Sequence, residues 1–518
     1  MTEIPELSLP GSWSRTTLAD VRRDDTTILN PAKHLEERFE LYSIPAHETG
    51  KPELVKGRDI GSAKKMLSPG TVLLSKINPR INRVWVVGDA NGVPQIGSSE
   101  WIAFSPIEGI VSRYLAHYLR QDRFCTYLAS NVSGVGGSLM RVKPSIVERF
   151  SFVFPPSGEQ QRIVEAVDSY LTRLDDAVAS LERVQAKLKA YRASVLKAAV
   201  EGRLVPTEAS LARAGKGAYE PAEVLLARIL KERRRRWEEA ELTKLKANRK
   251  TSKDDKWKAK YAEPVAPDIS TMPELPEGWC WATVDMLASV KGGLTKGQRR
   301  GARDFLLDVP YLRVANVQRG HLDLSEVKTI KATREEIAEL RLVPGDVLFN
   351  EGGDRDKLGR GWIWNGEIET CIHQNHVFRA RILTADYEPR LLSWYGNSSG
   401  QRYFFDEGKQ TTNLASINMT KLKLLPVPIP PKDEQDRIAD EVERVLSVAD
   451  ENAVAVAHAM KRCMRLRQAV LKWAFEGKLV DQDPADEPAE RLLARIRAER
   501  ASADPIKKSR RQAVRGAA

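Results

Sequence analysis

The chain contains a domain-sized copy of itself. Pro155-Pro156-x-x-Glu159-Gln160-x-Arg162-Ile163 returns 275 residues later as Pro430-Pro431-x-x-Glu434-Gln435-x-Arg437-Ile438. Glu201-Gly202-Arg203-Leu204-Val205 returns at the same offset as Glu476-Gly477-Lys478-Leu479-Val480, with no gap between the anchors. Solenoid units run about 20–50 residues, so a period this long means a duplicated domain and not a stacked repeat. The copies extend in both directions. Leu9-Pro10-Gly11-Ser12-Trp13 is echoed by Leu275-Pro276-Glu277-Gly278-Trp279, and Leu67-x-Pro69-Gly70-x-Val72-Leu73 by Leu342-x-Pro344-Gly345-x-Val347-Leu348. Downstream, Glu220-Pro221-Ala222-Glu223 pairs with Glu487-Pro488-Ala489-Glu490. A duplicated frame predicts two similar surfaces for a target with two similar sites.

Between the anchors lie two long helical patterns. Apolar residues follow Ile163 at Val167, Leu171, Leu174, Val178, Leu181, Val184, Leu188, Tyr191 and Val195, and the second copy runs from Ile438 to Val470 in the same way. Steps of three and four keep one seam on a partner helix, as in a coiled coil. Ser157-x-x-Gln160 reads as a capping box, and Gly202 and Gly477 stand where left-handed caps would end each rod. At 1.5 Å per residue each rod is roughly 60 Å long, and two equal rods pack most simply antiparallel. The flanking regions read as mixed α and β with short strands: 72–75, 84–87, 101–104, 347–349 and 377–380 are rich in β-branched and aromatic residues. No regular strand–helix alternation suggests a doubly wound sheet.

Composition narrows the function classes. No run approaches the ~18 apolar residues of a membrane span, and Met1-Thr2-Glu3-Ile4-Pro5 has no signal-peptide pattern. Cys125, Cys280, Cys371 and Cys463 are scattered without a CxxC pair, which suits reduced thiols in a cytosol. The expectation is a cytoplasmic protein without a membrane partner. The net charge of +12 points to a polyanion. It is concentrated in two stretches: 231–261 carries 13 Lys/Arg against 6 Asp/Glu, and 491–518 carries 9 against 2.

Catalytic motifs are missing from the sequence. There is no GxxxxGK[ST], and Gly134-Val135-Gly136-Gly137-Ser138-Leu139 lacks the last glycine of a dinucleotide loop. No Asn/Asp-Pro-Pro-aromatic tetrapeptide occurs, so an adenine methyltransferase site is not carried here. His373-x-x-His376 near Cys371 has no second ligand cluster, and Glu326-x-Lys328 alone is a chance-level nuclease spacing. Polar residues instead gather in loops of the kind that read bases, where Arg and Lys pair with guanine edges and Asn and Gln with adenine. In the first half these are Lys76, Asn78, Arg80, Arg83, Ser98, Ser99, Ser133, Ser138 and Arg141. In the second half they are Asn350, Arg355, Lys357, Arg360, Gln374, Asn375, His376, Lys409, Gln410, Thr411, Thr412 and Asn413. The loops fall at matching places and differ in content, as one scaffold reading two sequences requires.

With its Leu-Pro-x-x-Trp heads, Pro-Gly-x-Val-Leu strands, Pro-Pro-x-x-Glu-Gln-x-Arg-Ile helix starts and Glu-Gly-x-Leu-Val helix ends, nearly the whole chain resembles the specificity subunit of type I restriction–modification enzymes. The resemblance implies a mixed α+β fold with two similar target recognition domains separated by two long helices packed as an antiparallel coiled coil. The corresponding division is a first recognition domain at 1–155, a central helix at 156–205, a charged helical connector at 206–270, a second recognition domain at 271–429, a distal helix at 430–480, and a short helix with a basic tail at 481–518. It further implies double-stranded DNA as target and two methyltransferase subunits docked on the helices. Glu159, Gln160, Arg162, Glu434, Gln435 and Arg437 are then the candidate docking residues. S-adenosylmethionine, ATP and Mg would be supplied by or bound to the methyltransferase and restriction subunits, with no cofactor, metal or catalytic residue in this chain. The alternatives are a coiled-coil interaction scaffold, or an orphan specificity subunit serving a methyltransferase without a nuclease.

Overall fold

The computed structural model describes residues 9–132, 140–215, 217–247, 255–270, 272–297, 305–353, 357–410 and 415–515. The chain divides into two compact units. One contains residues 1–183 and 456–518, the other residues 184–455. Each unit holds one mixed α and β domain, the start of one long helix and the end of the other. The expected fold class is therefore observed.

The two domains share a strand plan. In the first, Val72–Ser75 pairs antiparallel with both Val84–Val86 and Trp101–Phe104. In the second, Val347–Asn350 pairs antiparallel with Gly361–Ile363 and Val377–Ile382. Every residue of the central strand is buried in both domains. That is why Val72-Leu73-Leu74 and Val347-Leu348-Phe349 read as unbroken apolar runs, each such side chain contributing about 1.5–3 kcal/mol by burial. A second sheet lies beside each. It is five-stranded in the first domain and three-stranded in the second, and in each a parallel pair, Leu41 with Ile96 or Tyr311 with Ile372, marks the same place.

The long helices run Ser157–Val200 and Lys432–Phe475, 44 residues each. Within each unit they lie antiparallel, joined by the ion pair Asp175–Arg467 in one and Arg192–Asp450 in the other. Asp450 is the repeat copy of Asp175, and Arg467 that of Arg192, so the duplication makes one contact twice. Two expectations are corrected. Gln160 does not cap its own helix: its side chain turns into the domain, accepting from the Val111 N–H and donating to the carbonyls of Gly109 and Pro155. The apolar seam is also not buried throughout. Ile163, Val167, Val195, Ile438, Val442 and Val470 are buried against their domains, but Val184, Tyr191 and Leu466 are 41–49% exposed. Two helices alone cover only one stripe of each other, so side chains off that stripe stay exposed.

The glycine caps form as expected, with φ of 67° at Gly202 and 69° at Gly477. What they pack against was not legible. A Cβ on Gly202 would come within 2.5 Å of Pro276 and one on Gly477 within 2.4 Å of Pro10. Each helix end thus seats on a Leu-Pro-x-x-Trp head. The next helix then starts on the same head, with the Ala222 N–H bonded to Gly278 O at 2.9 Å and the Ala489 N–H to Ser12 O at 3.0 Å. The tail of the second copy therefore packs on the head of the first, burying Ala489, Leu492, Leu493 and Ile496 with Trp13, Leu18 and Val21.

In the stretch expected as a charged helical connector, residues 231–247 form the end of a helix, Ala222–Ala247, with Trp237 stacked on Trp257 and edge-on to Tyr261. Arg234 is ion-paired to Glu238, Arg235 to Glu232 and Glu239, and Arg236 to Glu232 along the same helix, so these arginines are met locally while the net positive surplus of the stretch remains. No helix among the described residues is long and apolar enough to cross a membrane.

Candidate DNA-reading surface

The sequence-predicted loops meet at one backbone hub in each domain. In the first, Ser75 N–H bonds to Arg83 O at 3.0 Å and closes the loop between two strands. The next residue, Lys76, donates its N–H to Glu100 O at 2.9 Å and accepts from Val142 N–H at 3.0 Å. Three separated segments, 76–83, 98–100 and 140–142, are thereby drawn together. In the second domain Asn350 N–H closes its loop on Arg360 O at 2.9 Å, while Glu351 donates to His376 O at 3.0 Å and accepts from Ile417 N–H at 2.8 Å. The frame is the same; the second loop is two residues longer and carries different side chains.

Not every nominated residue is presented outward. Asn350 is fully buried, and its amide donates to the carbonyls of Val314 and Val317, so it braces the loop from below. Lys76 is tied to Ser99 O at 2.5 Å, and burial lowers its ammonium pKa. Arg83 pairs with Glu48 at 3.3 Å and Arg141 with Glu100 at 2.9 Å. Arg80 is exposed and, among the described residues, makes no ion pair. In the second domain Lys357 and His376 are exposed, Arg360, Gln374 and Asn375 half-buried. His376 pairs with Glu351, and Asn375 reaches its ring at 3.3 Å. Ser133, Ser138, Arg355, Thr411, Thr412 and Asn413 lie outside the described residues. Lys409 and Gln410 form a short strand paired with Ala415–Ser416.

His373 and His376 do not share a face. His373 is buried with Nδ1 2.7 Å from Val377 O, and burial pushes its imidazole down to about 4. Cys371 is likewise core, its thiol raised to about 12 by burial.

The six residues nominated for docking have an internal role at the helix starts. Glu159, Gln160, Glu434 and Gln435 are buried. Glu434 accepts from the Trp279 indole N–H and the Glu208 N–H, both at 2.9 Å, and Gln435 accepts from Glu388 N–H at 2.8 Å. Burial raises the carboxyls of Glu159 and Glu434 above their usual range. Arg162 pairs with Asp486 at 2.7 Å, and Arg437 with Glu208. These contacts clamp helix, domain and the following segment together. Sequence reasoning missed the Trp–Glu relation, although the recurrence of Trp and Glu in both copies was a signal for it. It also missed Ile81, 57% exposed beside Arg80.

No family model matches the chain. Among curated proteins it is 24% identical over 418 residues to the type I restriction enzyme EcoKI specificity subunit of Escherichia coli K12, covering 79% of this chain and 76% of that one. It is 25% identical over 423 residues to the StySPI specificity subunit of Salmonella potsdam, with the same coverage. Among solved structures, a chain from a study of complex assembly and conformational transition of the type I R-M system aligns at TM-score 0.64 and 18% identity, over 91% of this chain and 99% of that one. The HsdS subunit of Thermoanaerobacter tengcongensis aligns at TM-score 0.51 and 18% identity, over 92% of this chain and all of that one. The fold and its paired loop hubs define a protein of two similar mixed α and β domains, each packed on the ends of long helices. In sequence and in fold, the chain is similar to the specificity subunits of type I restriction enzymes.

Proposed function

We propose that this chain is the DNA-specificity subunit of a type I restriction–modification enzyme and reads a bipartite, asymmetric site, one half with each domain. The observation that carries this reading is the repeated hub. The same backbone bonds at Lys76 and Glu351 hold loops of unlike composition on one frame, as two half-sites of different sequence require. The antiparallel helices act as the spacer, and their exposed apolar residues Val184, Tyr191 and Leu466 offer surface to methyltransferase subunits. In this division of labour the chain is non-catalytic and works in the cytoplasm. S-adenosylmethionine comes with the methyltransferase subunits, and ATP and Mg with restriction subunits. Adenine methylation mapped across the source genome with and without this gene tests the reading. Loss of methylation at one two-part motif is expected; an unchanged methylome, or methylation by the isolated chain, overturns it.

A further inference from the structure

The loop Lys76–Arg83 is built unlike an ordinary solvated turn. Asn78 and Asn82 both adopt left-handed backbone, φ 47° and 44°, and are the non-glycine residues with positive φ among those described. Asparagine is among the few side-chain-bearing residues that take this region readily, and a turn built on two of them is fixed by its surrounding contacts. Those contacts are present. Asn78 N–H bonds to Met140 O at 2.9 Å, and the Asn82 amide donates to Leu119 O at 2.8 Å and lies 2.9 Å from Cys125 Sγ. Between the two pinned asparagines, Pro79–Ile81 forms one tight turn with Pro79 buried. Its tip holds Arg80, exposed and without an ion pair among the described residues, and Ile81, 57% exposed. Lys76, Arg83 and Arg141 around it are all occupied by internal partners.

A turn anchored at both ends that presents one exposed guanidinium, without an ion pair among the described residues, beside one exposed aliphatic side chain matches the edge chemistry of the major groove. There a guanidinium pairs bidentately with guanine O6 and N7, and an aliphatic group packs on the thymine methyl. We propose that the Asn78–Asn82 turn is the base-reading element of the first half-site, with Arg80 on a guanine and Ile81 on the thymine methyl of a neighbouring pair. This rests on the proposed function above and adds which residues read and which bases they select.

The test uses the full chain assembled with its methyltransferase subunits, and DNA libraries randomised in the first half-site. Arg80→Ala is expected to lose guanine preference at one position, and Ile81→Ala thymine preference at the adjacent one. Each change should be roughly five- to hundred-fold in relative binding, with all other positions and the second half-site unchanged. Replacing that thymine with uracil, which lacks only the methyl, should weaken the parent and leave Ile81→Ala unaffected. Uniform weakening on every sequence would make Arg80 a phosphate contact and overturn the proposal, as would unchanged preferences. Both side chains are exposed, so unchanged melting temperatures accompany the expected result. A parent complex without any sequence preference would instead sink the specificity-subunit reading itself.

Discussion

Trp279 donates its indole N–H to the buried carboxyl of Glu434 over 2.9 Å, joining the head of the second domain to the start of the second long helix. The two residues are 155 positions apart, and each belongs to a motif present in both copies. Removing the donor with Trp279→Phe leaves Glu434 with one fewer partner in a dry site. A loss of about 1–3 kcal/mol is expected, measured by urea unfolding of the full chain.

The Glu434 carboxyl also sets a pH dependence. Burial raises its pKa, while the N–H groups of Glu208 and Trp279 pull it down. A raised folded-state pKa means the folded chain holds the proton more tightly than the unfolded one. Its contribution is therefore fully present below the unfolded carboxylate range and is lost as pH rises through the folded value. Glu434→Gln, neutral throughout, should gain stability relative to the parent between pH 4 and pH 7. A difference that falls over that interval would contradict the assignment.

Gly202→Ala and Gly477→Ala should each destabilise by about 2–4 kcal/mol. A left-handed alanine costs roughly 1–2 kcal/mol, and its Cβ meets Pro276 or Pro10 at 2.5 or 2.4 Å, which adds overpacking. Thermal melts of the two variants check this.

The ion pair Asp175–Arg467 is 63% and 42% exposed, so it should contribute at most about 1 kcal/mol and weaken in salt. A double-mutant cycle with Asp175→Ala and Arg467→Ala measures it directly. A coupling well above that figure would show that the helix pair relies on its charges more than on its buried ends.

Gln374→Ala and Asn375→Ala should relax base preference in the second half-site alone, by about 1–3 kcal/mol per lost bidentate contact. Methylome sequencing of cells carrying each variant reads this out. Equal effects in both half-sites would contradict one-domain, one-half-site reading.

Much of the architecture was legible because it was written twice. The strands at Val72 and Val347 betrayed themselves as apolar runs, and the two helices by steps of three and four. Gly202 and Gly477 announced caps, since left-handed backbone strongly favours glycine. Local pattern reports local conformation and which face needs covering. It does not report what covers it. Hence Gln160 read as a cap when it reaches into the domain, and Val184, Tyr191 and Leu466 read as buried seam when they are exposed. Asn350 read as a base reader, yet its amide is consumed beneath the loop. By itself, then, the sequence determined the duplicated frame, the element types and the places where the reading loops fall. The tertiary structure alone decided which head each tail seats on, which basic side chains are already paired, and that Arg80 and Ile81 are exposed on a pinned turn. Those outcomes depend on contacts between residues far apart in the chain, where burial and pairing are settled by packing and not by neighbours in sequence.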